Sequence, residues 1–206
     1  MLKDLGIVKS RNNKGYRVFT EHIEQNFLTN EMNPHEYVNY CLRKYRDSGV
    51  PTNNALNGTI FEIILATVFV KERLLPLHLQ AKVAFVPNVI FDSLLYTEEN
   101  GPIAISMKTS LRERYKQADL EAIALKYVHR KAKNYLITVS NEENILVNNK
   151  ISTGSIIGID QSILATDQSF DTFINDLKNY NYITPGQVDI VQSSRIISTE
   201  NVERLI

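Results

Sequence analysis

A two-residue alternation in the middle of the chain most constrains what it can fold into. From 103 to 108, Ile103, Ile105 and Met107 alternate with Ala104, Ser106 and Lys108. Successive side chains of an extended strand point to opposite faces. One face here is apolar, and the other presents Ser106 and Lys108 together. The runs 81–86 and 89–96 also read as strands, and Glu98-Glu99-Asn100-Gly101 reads as a turn.

Earlier in the chain the periodicity is helical. Val18 to Leu28 has amphipathic spacing, and Asn33-Pro34 supplies a cap and a first-turn proline for a helix through Tyr45. Asp47-Ser48-Gly49-Val50-Pro51 ends that helix, and an apolar helix from about Ala55 to Arg73 reads as centrally buried. Downstream, Arg114 to about His129 is helical, with Leu120, Ile123, Ala124 and Tyr127 on one stripe. Strands are expected at 135–139, 155–159 and 188–191, and a helix at 170–180. Helices flanking a small mixed β-sheet place the chain in the α/β class. It reads as one domain over 1–206, with a helical part at 1–75 and a core at about 55–140.

Composition excludes several alternatives. A single cysteine, Cys41, forbids an intrachain disulfide framework, and four scattered histidines supply no Cys/His zinc cluster. Cys41 lies within a helical pattern and reads as a small buried hydrophobe. Met1 to Gly6 carries no apolar signal region, and the apolar run Ile60–Val70 is interrupted by Glu62, so the expectation is a cytoplasmic protein without a membrane partner. Formal net charge is zero, yet residues 107–133 hold eight Lys/Arg against three acids, while 160–206 hold three against seven. Positive charge is therefore concentrated beside Lys108, where a phosphate backbone would need it, although a solvated helix face has the same pattern.

The charged residues around Lys108 define a possible chemistry. Phosphodiester hydrolysis requires stabilisation of the charge developing on phosphorus, activation of a water and neutralisation of the leaving oxygen. Carboxylate-held Mg²⁺ and a nearby lysine can supply these. Asp92 interrupts the apolar strand Val89-Ile90-Phe91-Asp92-Ser93-Leu94, where a carboxylate must be paired, metal-bound or facing water. Glu62 interrupts a still more apolar helix and needs a partner or a polar cleft. Glu121 lies thirteen residues after Lys108, on the following helix, where pairing with Gln117 or Lys126 is the simpler reading. Arg112-Glu113-Arg114 offers two guanidinium forks and an acceptor, suited to guanine O6/N7 and cytosine N4, or to internal pairing on the surface. A Ser106/Lys108 acylase lacks any accompanying oxyanion loop.

Taken together, Asp92, Ser106-Met107-Lys108, Arg112-Glu113-Arg114 and Glu121 resemble the PD-(D/E)xK nuclease superfamily. Within it, they are most similar to Type II restriction endonucleases that recognise CCGG, intact or split by a central base or base pair. Members of that group carry the second catalytic glutamate on the helix after the lysine and a base-reading R-(D/E)-R run between the two. The resemblance covers roughly residues 58–140, with Phe91 where proline usually precedes the aspartate. It implies a restriction-endonuclease-like core and Mg²⁺-dependent cleavage of double-stranded DNA at a G·C-rich palindrome, with no nucleotide cofactor. It also implies that Asp92 and Glu121 hold the metal, Glu62 supports it, Lys108 acts at the scissile phosphate, and Arg112, Glu113 and Arg114 read bases. A palindromic site implies a homodimer. Asn53 and Asn54 are minor-groove candidates. The alternatives are a structure-selective nuclease of the same fold and a DNA-binding protein without catalysis.

Overall fold

The alternating segment forms the third strand of a six-stranded mixed sheet. The structure is a computed structural model describing residues 1–24, 26–185 and 191–206. Its strands are β1 (Leu77–Val83), β2 (Phe91–Thr97), β3 (Gly101–Lys108), β4 (Lys133–Thr138), β5 (Gln161–Leu164) and β6 (Val191–Ile197), in spatial order β5-β4-β3-β2-β1-β6. β1, β2 and β3 form an antiparallel meander, β3, β4 and β5 run parallel, and β6 returns antiparallel to β1. The β2–β3 turn closes on Gly101 at φ 69°, a left-handed conformation that glycine adopts without a Cβ clash.

The helices are α1 (Lys14–Val18), α2 (Pro34–Asp47), α3 (Asn54–Lys71), α4 (Arg114–Val128), α5 (Asn141–Ser152), α6 (Ser169–Leu177) and α7 (Thr199–Glu203). The start of α2 is fixed by a capping box between Asn33 and Glu36, with Pro34 in the first turn. Its buried face includes Cys41, whose thiol is pushed up to about 12 chiefly by burial, as suits a small hydrophobe. Asn53 caps α3 by accepting from the Leu56 amide at 2.8 Å. By length and composition α3 could cross a membrane, but Ile60 to Val70 are buried in this fold apart from Glu62. Burying a side chain such as Phe61 or Phe69 stabilises by ~1.5–3 kcal/mol.

α3 and α4 cover opposite faces of the sheet. Ile103, Ile105 and Met107 of β3 join α3 in the largest core cluster, whereas the intervening Ala104 packs with Leu125 of α4. Of the α4 stripe, Leu120 is 68% and Tyr127 87% exposed, while Ile123 and Ala124 are partly buried. Ala118, Ala122 and Leu125 form the packing face, since small residues let the helix approach the sheet closely.

Other expectations fail for identifiable reasons. Val18–Leu28 is split between the end of α1, a π-helical turn at Phe19–Ile23 and a 3-10 turn at Phe27–Thr29, an arrangement that buries Phe19, Ile23 and Phe27 together. Residues 155–159 are a loop, because Asp119 Oδ1 accepts from the Gly158 and Ile159 amides at 2.6 and 3.3 Å. The strand lies just beyond, as β5. α5 was not expected; Ser140 caps it and Val147 is its one fully buried residue, so its periodicity is faint. Of the strand expected at 188–191, residues 188–190 lie outside the described residues, and Val191 opens β6.

Candidate active site

β2 is antiparallel to β3, so the start of β2 and the end of β3 lie at the same edge of the sheet. That register brings Asp92 to Lys108. Asp92 Oδ2 accepts from Lys108 Nζ at 2.6 Å and from the Met107 amide at 2.8 Å. Both side chains are largely withdrawn from solvent, 14% exposed for Asp92 and 23% for Lys108. Asp92 is on an internal strand, with β1 and β3 on either side, and is paired with Lys108.

A kink in the strands aims Asp92 at α3. Leu77 and Leu79 pack in the core cluster on the α3 side, whereas Ala81 and Val83 belong to the cluster on the other side. Residues two apart on a regular strand share a face, so the alternation slips between 79 and 81. Gln80, between them, has φ 51°. Pairing of Leu79 with Ser93 and Ala81 with Phe91 puts Asp92 opposite this slip. Irregularities of this kind re-aim a side chain out of the pleat.

Asp92 consequently lines a cleft of about 150 Å³ shared with Glu62 and Thr59 of α3, Asn13 and Arg195. Glu62 is half-buried and its carboxyl is raised to about 7, first by burial and next by the Asp92 charge, with Lys108 and Arg195 opposing. Arg195 lies on β6 opposite Leu79, donates to the Ile7 carbonyl and is itself lowered chiefly by burial. Its Nε is buried without a partner among the described residues.

The remaining predicted residues stand outside this cleft. Glu121 accepts from Gln117 Nε2 at 2.7 Å, which is the simpler of the two readings of that residue. It sits on the helix covering the opposite face of the sheet, about 10 Å along α4 from its first residue. Arg112, Glu113 and Arg114 are exposed in the turn leading into α4, and Glu113 pairs with Lys116. This turn is held by Glu143 of α5, whose carboxylate accepts from the Leu111 and Arg112 amides at 2.7 and 2.9 Å. Those hydrogen bonds hold the Glu143 carboxyl below its usual range against the opposing effect of burial.

The basic run is partly neutralised within the fold. Asp160 pairs with Lys126 at 3.0 Å and Lys133 at 3.9 Å, and Lys108 and Lys116 are also paired. Arg112, Arg114, Arg130 and Lys131 keep their charges free of ion pairs among the described residues. Two carboxylates in one cleft, one of them raised by the other, suit a hard divalent cation that keeps several waters. Among the described residues no three His, Cys, Asp or Glu side chains converge on one point. Glu62 and Asp92 thus fit as a partial donor set, and Glu121 does not join them in this conformation.

Compared with known proteins, the chain matches no family model, no curated protein and no solved structure. Sequence reasoning missed Arg195 and Glu143. Arg195 reaches the cleft only through the pairing of β6 with β1, more than a hundred residues apart. Glu143 looked like an ordinary acidic residue in a region without a clear helical signal.

Proposed function

We propose that this protein is a Mg²⁺-dependent endonuclease of double-stranded DNA, of the Type II restriction kind, cutting as a homodimer at a G·C-rich palindrome related to CCGG or CCNGG. The observation carrying this reading is the Lys108–Asp92 contact at 2.6 Å, with Glu62 lining the same cleft. Bound Mg²⁺ would supply stabilisation of the charge developing on phosphorus and a more acidic water. Asp92 and Glu62 would hold it, while Glu121, on the helix covering the opposite face of the sheet, stays outside the set. Lys108 brings positive charge to the scissile phosphate while Asp92 fixes where its ammonium sits. The exposed Arg112 and Arg114 would reach base edges, with Glu113 joining them on leaving Lys116, and a two-fold symmetric dimer is the simplest reader of a palindrome.

Digestion of plasmid DNA with Mg²⁺ tests this. Discrete, reproducible fragments are expected from the unaltered protein. Lys108→Ala and Asp92→Asn should each lower the cutting rate on the order of 10²–10³-fold, the usual loss on removing one group that stabilises transition-state charge. Absence of cutting by the unaltered protein on any DNA would refute catalysis and leave a binding protein. A second reading, a nuclease for branched DNA, is favoured by one observation. Lys116 already engages Glu113, which leaves two guanidiniums for phosphates rather than bases. Cutting of junctions with no discrete plasmid fragments would select it.

A further inference from the structure

A second cleft, about 420 Å³, opens at the carboxyl ends of the three parallel strands. Thr109 follows the last residue of β3, Val139 follows that of β4, and Thr166 lies two residues past β5; all three line it. Crevices outside the carboxyl ends of strands are where open α/β sheets place ligands. The opposite wall comes from Arg46 near the end of α2 and from Asn57 in the first turns of α3.

Beside the apolar Leu42 and Val139, this cleft offers several donors to an anion. Arg46 is exposed, has no ion-pair partner among the described residues, and no carboxylate lines the cleft. Asn57 Oδ1 accepts from Tyr45 Oη at 2.9 Å, which orients the amide and leaves its Nδ2 without an acceptor among the described residues. Hydroxyls of Thr52 and Thr109 add two further donors. The two clefts share no lining residue but are neighbours along β3 and α3. Thr109 adjoins Lys108, and Asn57 precedes Glu62 by five residues, about 7.5 Å along the same helix.

The geometry points to this cleft as the track for the sugar–phosphate backbone flanking the scissile bond, with Arg46 and Asn57 holding a neighbouring phosphate. The inference rests on the DNA reading above and adds the path that the strand takes. Contacts of this type position a duplex without reading its sequence, so they act alike on any DNA.

Salt-dependent binding to a fluorescent mixed-sequence duplex, with chelator present to prevent cutting, tests the assignment. Arg46→Ala should weaken binding about tenfold, the loss of one charge-assisted hydrogen bond. It should also reduce the slope of log affinity against log salt by about 0.9, one phosphate's worth of released counterions. Asn57→Asp keeps the acceptor for Tyr45 while bringing negative charge to the cleft, so it should weaken binding with no change in melting temperature. Arg73→Ala, past the far end of α3, should leave affinity and slope unchanged. If the unaltered protein binds but Arg46→Ala and Asn57→Asp match it in affinity and slope, the cleft is not on the DNA path and the nuclease reading stands. Weaker binding at an unchanged slope would overturn the phosphate contact. Failure of the unaltered protein to bind any duplex would overturn both.

Discussion

Replacing Glu62 by Gln should stabilise the protein above neutral pH and leave it nearly unchanged in acid. Glu62 has a carboxyl raised to about 7 in the folded state from an ordinary value of 4.5, because burial and Asp92 both disfavour its charge. For a group raised in this way, the stabilising contribution is fully present below pH 4.5, declines as pH rises through the window from 4.5 to about 7, and is absent above it. One unit corresponds to about 1.4 kcal/mol, so the shift amounts to at most ~3.5 kcal/mol. That shift already includes the opposing charges of Lys108 and Arg195. Gln fills nearly the same space and incurs no cost of burying a charge. Urea melts of both proteins at pH 4, 6 and 8 measure the difference, which should open between pH 4 and 8 in favour of Glu62→Gln. A chain of this length gains roughly 2–4 °C in Tm per kcal/mol. Equal stability at pH 8, or a gap of the same size at pH 4, would refute the claim that burial and Asp92 govern this carboxyl.

Glu143→Ala removes the acceptor of the Leu111 and Arg112 amides and should cost about 1–3 kcal/mol; trypsin cleavage after Arg112 and Arg114 should accelerate, and an unchanged digestion rate would count against Glu143 as the clasp of that turn. Leu125→Ala should cost about 2–5 kcal/mol in a denaturant melt, because Leu125 is fully buried. Leu120→Lys on the same helix should stay within about 0.5 kcal/mol of the unaltered protein, and a large loss there would contradict the outward orientation of that residue.

The parts of the site that were legible from sequence are those set by local periodicity or by a local conflict. Lys108 was placed by the alternation of β3, and Asp92 and Glu62 by being carboxylates in apolar surroundings where an unpaired charge is expensive. Their convergence needed only a hairpin between neighbouring strands and the packing of the preceding helix. Arg195 and the slip at Gln80 were invisible, because one depends on a strand pairing across the length of the chain and the other on a left-handed residue that is not glycine. α4 misled for a different reason. It carries two faces with helical spacing, and the larger side chains lost to Ala118 and Ala122, whose small size permits close packing on the sheet. Charge counting misled in the same region, since Asp160, far along the chain, neutralises Lys126 and Lys133.

The charges around the cleft separate a structural network from a site. Glu62, Asp92, Lys108 and Arg195 come from α3, β2, β3 and β6, two acids and two bases with zero formal sum. If they served stability alone, each would be held by a direct partner, and neutralising any one would be destabilising, because removing half of a buried pair strands the other half. Asp92 meets that description through Lys108 and the Met107 amide. Glu62 does not. Among the described residues no hydrogen bond reaches its carboxylate, burial and Asp92 raise it, and Arg195, which favours its charge, donates instead to the Ile7 carbonyl. A carboxylate kept in a half-buried cleft beside another carboxylate, with no donor of its own, opposes the fold's stability. Such residues accumulate where a ligand or reaction requires them. The sign of the Glu62→Gln effect at pH 8 therefore distinguishes the two: a loss of stability there would make this a structural network, and a gain would show that Glu62 serves something other than stability.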